Sequence, residues 1–184
     1  MPQHEDANLR RLIDITQSLS SEQDKWRLLE RILSESLAIT GADGGTLYLL
    51  QSDDEGQWLE YGILHNRSLG LVQVNRSGGD SALMPIPLYD LHSGAANHHN
   101  IATHCALIRR PINIEDAYDA GRFDISGIRA FDELFDYRTR SMLTLPLQNH
   151  TGQVMGVMQL VNAMAPDSTE VVPFAEPALS VVQA

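Results

Sequence analysis

The chain has 184 residues, 43% of them hydrophobic, which suits one globular domain with a sizeable core. Its formal net charge is −11, because 24 acidic side chains outnumber 13 basic ones. This surplus repels phosphate backbones and anionic headgroups, so we expect neither nucleic acid nor a membrane as a partner. One cysteine, Cys105, excludes an internal disulfide, and no apolar stretch is long enough to cross a bilayer. We therefore expect a cytoplasmic protein.

The N-terminal part of the chain predicts two helices after a polar, disordered or tag-like segment at residues 1–7. Residues 8–19 have apolar side chains at helical spacing, and Ser21 with Asp24 resembles a capping box that starts a second helix. Gly41 suits the position just past that helix, where a left-handed backbone is easiest without a Cβ. The buried stripe of the second helix is predicted at Leu29, Ile32, Leu33 and Leu37.

The period then changes to that of β-strands. Residues 46–51 and 58–64 predict a hairpin, joined by the polar turn at residues 53–56. Residues 69–83 show little periodicity and are interpreted as a loop or a ragged sheet edge. Two prolines permit at most a short edge strand at residues 86–89.

The second half of the chain alternates helices and strands. We predict a helix from Asn97 to Arg109, a strand at 112–114, a helix at 126–134, strands at 141–147 and 154–161, and the start of a helix at 178–184. Tight turns imply mainly antiparallel pairing, and the nearly all-apolar strand at 154–161 needs helices on both faces of the sheet. The sequence therefore predicts an α+β fold.

Several segments, in the same order along the chain, resemble bacterial GAF domains. They are TGADGGTLYLL at 40–50, PIPLYD at 85–90, RPINIEDAYDAGRFDISG at 110–127 and FDELFDYRTRSMLTLPLQNHTGQVMGVMQLVNA at 131–163. The resemblance implies a six-stranded, mainly antiparallel sheet with helices on both faces. It also implies a single GAF domain over residues 8–184, with a truncated last helix.

The resemblance implies a non-catalytic sensory domain that binds a small molecule, with a cyclic nucleotide as one candidate. Such domains precede outputs such as HD-GYP phosphodiesterases or nucleotide cyclases, and they form homodimers. A ligand-free dimerisation scaffold is the alternative, and Phe135 filling the pocket would produce it. A single cysteine and the lack of metal-ligand spacing disfavour an enzyme. We expect no cofactor.

The expected pocket lies between the sheet and the helices predicted to end at Arg109 and to start at Ser126. No catalytic or metal-binding residue is predicted. The residues expected to bind the ligand, from the resemblance and from their own pattern, are His98, His104, Asn113, Asp116, Arg122, Phe123, Phe131, Asp132, Tyr137 and Thr139. Thr139 alternates with two arginines, which places it on the opposite face from them.

Alternative interpretations of these residues remain open. The histidines predicted on one helix, His98, His99 and His104, suit zinc or haem ligation, or else capping and pocket lining. Cys105 is either a small buried thiol or a chromophore attachment site. The acidic segment around Arg122 is either a lid that clamps a polar ligand or a solvated loop. In the family, a structural ion pair uses a lysine near the asparagine that corresponds to Asn113 here. Either Arg122 replaces that lysine in this chain, or the ion pair is absent.

Overall fold

The computed structural model describes residues 25–76 and 84–175. The chain divides into two compact units, Met1–Ile32 and Leu33–Ala184. Residues 25–32 of the first unit and 33–40 of the second are helical and are labelled α1. The segment predicted at 1–7, the helix at 8–19, the capping box at Ser21 and the last helix at 178–184 lie outside the described residues.

The described part of the second unit adds strands and helices in the predicted α+β order. They are β1 (Ala42–Asp53), β2 (Gly56–Asn66), β3 (Leu71–Val74), β4 (Ile86–Pro87), α2 (Ile101–Ile108), β5 (Ile112–Ile114), a 3-10 turn (Ala117–Asp119), α3 (Ser126–Phe135), β6 (Met142–Gln148), β7 (Val154–Met164) and β8 (Val171–Val172).

These strands form one antiparallel sheet, whose main path of six strands is β3-β2-β1-β7-β6-β5. Short β4 pairs with β2, and short β8 pairs with β7. Strand β7 lies between β1 and β6, and its residues Val157 and Leu160, on opposite faces, are both fully buried. This double burial explains why the sequence of β7 is an apolar run rather than an alternation.

Helices cover both faces of the sheet, as predicted. On one face, a Cβ at Gly45 would lie 2.9 Å from Leu33 of α1 and 3.0 Å from Leu160, so this close approach requires a glycine. On the other face, Cys105 of α2 belongs to a buried cluster that includes Val157. The core is therefore two apolar layers with the sheet between them.

Several local predictions are confirmed. The turn after β1 forms as expected, because an Asp53 carboxylate oxygen accepts the backbone N–H of Glu55 (2.8 Å) and of Gly56 (3.1 Å). Gly41 follows α1 with a left-handed φ of 67°. Strand β5 has the predicted bounds, and α3 begins at Ser126 as predicted.

Three predictions are corrected. Residues 71–74, assigned to a loop or ragged edge, form the regular edge strand β3 and pair with β2. Helix α2 begins at Ile101 rather than at Asn97, because Asn100 caps it by accepting the N–H groups of Ala102 and Thr103. Ile32, placed in the buried stripe of its helix, is 37% exposed.

The later start of α2 has a consequence for the histidines that were predicted on one helix. His98 and His99 precede the helix, and His104 alone lies on it.

Candidate functional site

A cavity of about 350 Å³ lies on the α2 and α3 side of the sheet. Its sheet wall consists of Thr46 and Tyr48 from β1, Met142 from β6, and Gln159 and Val161 from β7. These five side chains share one face because side chains alternate along each strand and the strands pair in register. The volume is at the lower end of the range for small-molecule sites.

The opposite wall comes from the N-terminal ends of two helices. Asn100 and Ile101 open α2, and Ser126, Ile128 and Phe131 lie on α3. His65 of β2, Ile86 of β4 and Asp124 from the loop before α3 complete the rim. The site thus joins a rigid sheet to two separate helices, an arrangement in which a bound molecule contacts elements distant in sequence.

Two of the ten predicted ligand-binding residues, Phe131 and Thr139, line this cavity. Thr139 is 4% exposed, whereas Arg138 and Arg140 are exposed, so the predicted alternation is confirmed. The backbone N–H and the hydroxyl of Thr139 each donate to the carboxylate of Asp132 at 2.8 Å. The hydroxyl of Tyr118 donates to the same carboxylate at 3.0 Å. Asp132 is 3% exposed and does not line the cavity; it holds Thr139 and α3 together.

Tyr137 belongs to a second buried polar network rather than to the cavity wall. Its hydroxyl donates to Asp43 at 2.7 Å and accepts from the side-chain amide of Asn162 at 2.9 Å. Burial, reinforced by the Asp43 carboxylate, raises the pKa of Tyr137 well above its ordinary value. Asp43 also accepts the hydroxyl of Ser68 at 2.7 Å. Sequence reasoning missed Asp43 and Asn162; their only signal was a polar residue inside an otherwise apolar strand.

Four predicted residues form what we call the histidine cluster: His98, His104, Arg122 and Phe123. The guanidinium of Arg122 donates to Nε2 of His104 at 2.7 Å, and the Nδ1 atoms of His98 and His104 are 2.7 Å apart. Because Nε2 of His104 accepts, its proton is on Nδ1 and is donated to His98. The ring of Phe123 lies 5.4 Å from that of His104. None of the four lines the cavity.

The electrostatics of the cluster keep His104 neutral. Burial, then the charge of Arg122, then His98, lowers the pKa of His104 below its ordinary value. Among the described residues, no group of three or more histidine, cysteine or carboxylate side chains is placed to hold a metal ion.

Asn113 and Asp116 lie away from the cavity. The side-chain amide of Asn113 donates to the backbone oxygen of Phe174 at 3.0 Å. Asp116 forms an ion pair with Arg138 at 2.7 Å, and this hydrogen bond is the main reason why the pKa of Asp116 is lowered. Arg122 had been considered as the replacement for a family lysine, but it contacts His104 instead.

Two further side chains bear on the alternatives. Phe135, considered as a plug for the pocket, packs 4.7 Å from the ring of Phe131 and is not part of the cavity wall. Cys105 is fully buried, and burial raises its pKa to about 12, so it behaves as a small apolar side chain.

The family model for the GAF domain matches residues 27–184. This chain belongs to the GAF domain family. Domains of this family are generally regulatory and bind small molecules, and the α+β antiparallel architecture described above is the GAF fold. In the described residues, no helix is long and apolar enough to cross a membrane.

Curated relatives include two phosphodiesterases of Drosophila melanogaster. This GAF domain is 41% identical over 64 residues to dual 3',5'-cyclic-AMP and -GMP phosphodiesterase 11, covering 35% of this chain and 4% of that protein. It is 24% identical over 152 residues to the cGMP-specific 3',5'-cyclic phosphodiesterase, covering 82% of this chain and 12% of that protein. The chain thus spans a small fraction of the length of these relatives.

Solved structures support the fold. The GAF domain of a phosphoenolpyruvate-protein phosphotransferase from Coxiella burnetii superposes with a TM-score of 0.56, at 14% identity, over 95% of this chain and 87% of that one. At this identity, the likeness concerns the GAF fold alone.

Proposed function

We propose that this GAF domain is a non-catalytic, cytoplasmic regulatory module that binds a small molecule and controls an output domain outside this chain. An HD-GYP phosphodiesterase or a nucleotide cyclase is the kind of output we have in mind. The observation that carries the proposal is the open cavity of about 350 Å³ between the sheet and α3, which Phe135 leaves unfilled. Cyclic nucleotides are the first compounds to test, because the two Drosophila relatives are cyclic-nucleotide phosphodiesterases.

The proposed mechanism is a shift in population. The segment from Arg110 to Asp136 contains α3 and the loop before it, and its residues supply much of one cavity wall. A ligand that contacts this wall stabilises the conformation in which the wall is ordered, and the change is passed to neighbouring helices. The ligand acts only to the extent that it binds that conformation more tightly than the alternatives.

The test is a thermal-shift screen against cyclic AMP, cyclic GMP, cyclic di-GMP, other nucleotides and amino acids. A ligand at 100 times its dissociation constant should stabilise the domain by about 2.7 kcal/mol. The matched control is Val161→Phe, which adds a ring to a half-buried position in the cavity wall. A shift that persists unchanged in this variant, or unchanged hydrogen exchange of residues 110–136 at saturation, contradicts the proposal.

Exposed apolar side chains favour a second candidate, a homodimer scaffold that binds no ligand. Leu28 and Ile32 are 59% and 37% exposed and are four residues apart, so they share one face of α1. This candidate predicts a melting temperature that rises with protein concentration, no stabilisation by any compound, and loss of the dimer in Leu28→Glu. Light scattering at two concentrations distinguishes it from the first candidate, which requires a ligand shift.

A further inference from the structure

The cavity offers little compensation for a charged group. Among the described residues, its titratable lining side chains are Tyr48, His65 and Asp124, and no lysine or arginine of that part of the chain lines it. Burial raises the pKa of Tyr48 to about 12, so its hydroxyl is neutral at physiological pH. Asp124 is exposed and lies at the rim. An anion placed inside would lose its hydration without gaining a counter-charge from a lysine or arginine, which costs far more than burying a neutral polar group.

Three neutral side chains of the cavity wall, Thr46, Tyr48 and Gln159, have polar atoms that are available to a ligand. Within the described residues, no hydrogen bond reaches the hydroxyl of Tyr48 or of Thr46. The side-chain amide nitrogen of Gln159 donates to Thr144 at 3.3 Å, which leaves its carbonyl oxygen as an acceptor. In the described part of the chain, every fully buried side-chain polar atom has a hydrogen-bond partner. The groups without a partner are therefore not fully buried and remain accessible to a ligand. They offer both donors and acceptors to a bound molecule.

Six further lining side chains are apolar, and one of them is an aromatic ring. The side chains that provide this surface are Ile86, Ile101, Ile128, Phe131, Met142 and Val161. A flat ring held against them gains from burial of its faces, while its polar edge is free to reach the hydroxyl and amide groups.

The first turns of α2 and α3 are features of the wall that attract anions, because helix N-termini carry partial positive charge. In α2 the side chain of Asn100 already accepts the backbone N–H groups of Ala102 and Thr103. The first turn of α3 is the second such feature. In this chain that turn already has a carboxylate: an oxygen of Asp124 accepts the backbone N–H of Ser126 at 2.9 Å. The hydrogen bonds from Ser126 lower the pKa of Asp124, so the carboxylate stays ionised at neutral pH. An anionic ligand at this end of the cavity would therefore meet a negative charge.

We propose that the ligand of this cavity is an uncharged ring compound with hydrogen-bond donors and acceptors at its edge, such as a nucleoside or a heteroaromatic amide. A phosphate ester or carboxylate of the same shape binds more weakly. The inference rests on the proposed function, because it assumes that the cavity is the ligand site.

The test uses probes of one shape and different charge: benzamide, benzoate and benzamidine. Adenosine and cyclic AMP provide a larger pair that differs in its phosphate. Titrations followed by shifts of the backbone amide signals of cavity residues give each dissociation constant. We expect benzamide to bind about tenfold more tightly than benzoate, and adenosine to bind more tightly than cyclic AMP.

Two variants separate the contributions. Asp124→Asn can still accept from Ser126, and it should reduce the penalty on benzoate severalfold without weakening benzamide. Tyr48→Phe keeps the ring and should weaken benzamide severalfold, because it removes one unpartnered hydroxyl.

Each outcome bears on a different claim. Neutral probes that bind more tightly than their anionic counterparts, with signals lost in Val161→Phe, support the inference. Anionic probes that bind as tightly or more tightly, again with loss in Val161→Phe, overturn it and leave the proposed function standing. If no probe gives shifts that depend on Val161, the cavity is not the ligand site, and the proposed function fails instead.

Discussion

Replacement of Asp132 by alanine probes the contact that joins α3 to the strand side of the cavity. The carboxylate is 3% exposed and accepts hydrogen bonds from the backbone N–H and hydroxyl of Thr139 and from the hydroxyl of Tyr118. The variant leaves two buried donors of Thr139 without an acceptor and without room for full hydration. Phe131, next to Asp132 on α3, would lose its fixed position in the cavity wall.

Each hydrogen bond to a charged group contributes about 1.5–3 kcal/mol, and an unsatisfied buried donor costs a similar amount. The three bonds share one acceptor and are not additive, so we expect Asp132→Ala to cost about 3–5 kcal/mol. That is a large fraction of the roughly 5–15 kcal/mol that stabilises a typical domain. Tyr118→Phe removes one bond to a partly exposed donor and should cost about 1 kcal/mol.

Urea denaturation followed by circular dichroism measures both variants, with the slope m checked for constancy. Asp132→Asn keeps one acceptor oxygen but turns an amide group toward a donor. Its loss of stability should therefore lie between that of Asp132→Ala and that of Tyr118→Phe. If Asp132→Ala unfolds within 1 kcal/mol of the parent chain, the carboxylate does not hold Thr139, and the account of this wall is wrong.

Three further predictions concern single side chains. Gly156→Ala should destabilise the domain by about 1–3 kcal/mol or more, because its Cβ would lie 2.3 Å from the carbonyl oxygen of Tyr48. A Cβ at Gly127 would meet nothing within 4 Å, so Gly127→Ala should stabilise α3 by about 0.5–1 kcal/mol. Thermal melts that rank the two variants in the opposite order contradict this packing. The pKa of His104 is lowered in the fold, so the unfolded chain binds the proton more readily and the free energy of unfolding falls as the pH drops below about 6.5. Urea melts at pH 7.5 and 5.5 should show a smaller loss of this free energy in His104→Gln than in the parent chain. Equal losses in the two proteins would contradict this. Cys105 is fully buried with a pKa raised to about 12, so a thiol reagent should label it only after unfolding, and rapid labelling of the native chain would refute its burial.

The elements that the sequence predicted well are those with local causes. The turn after β1 depends on the Asp53 side chain and on glycine, and β5 and α3 are bounded by proline and serine nearby. Strand β3 was not recognised as a strand because it forms through pairing with β2, and its residues Val72 and Gln73 are exposed and show no alternation. A strand of only four residues at the edge of a sheet is too short to show a periodic signal of its own.

The start of α2 was misplaced for a different reason. The predicted start at Asn97 directly follows two alanines, which favour a helix, but Ala96 pairs with Tyr89 in an isolated bridge. The cap at Asn100 then starts the helix four residues later. Tertiary pairing thus overrode local propensity, and His98 moved from the helix into the loop before it.

The candidate site was predicted only in part. The alternation of side chains along a strand shows which residues share a face, but it does not show which helix or strand packs against that face. Thr139 was identified since its neighbours are arginines, and Phe131 through the family resemblance. Thr46 and Gln159 line the same cavity but were not singled out. Their role depends on β1 and β7 being adjacent, a relation between residues more than one hundred positions apart.

The two sides of the cavity differ in how firmly they are held. The strand side rests on the buried pair of Asp43 and Asn162, each hydrogen-bonded to Tyr137. On the helix side, Ser126 and Gly127 are exposed. The loop before them is joined to the α2 side by a backbone bond from the N–H of Asp124 to the oxygen of His99 at 2.8 Å and by the side-chain bond from Arg122 to His104 at 2.7 Å. Exposed backbone with few buried contacts opens locally at low cost, whereas a buried, satisfied network opens only with the whole fold.

This difference predicts where a ligand acts. Amides of the first turn of α3 should exchange with solvent much faster than those of β7 in the unliganded domain, and a cavity ligand should slow the first group while leaving the second unchanged. Hydrogen exchange measured with and without benzamide compares the two, and Val161→Phe serves as the control that removes binding. If the amides of the first turn of α3 and those of β7 are equally protected from exchange before the probe is added, the helix side of the cavity does not open more readily than the strand side. The conformational change caused by a ligand would then have to be transmitted through the sheet.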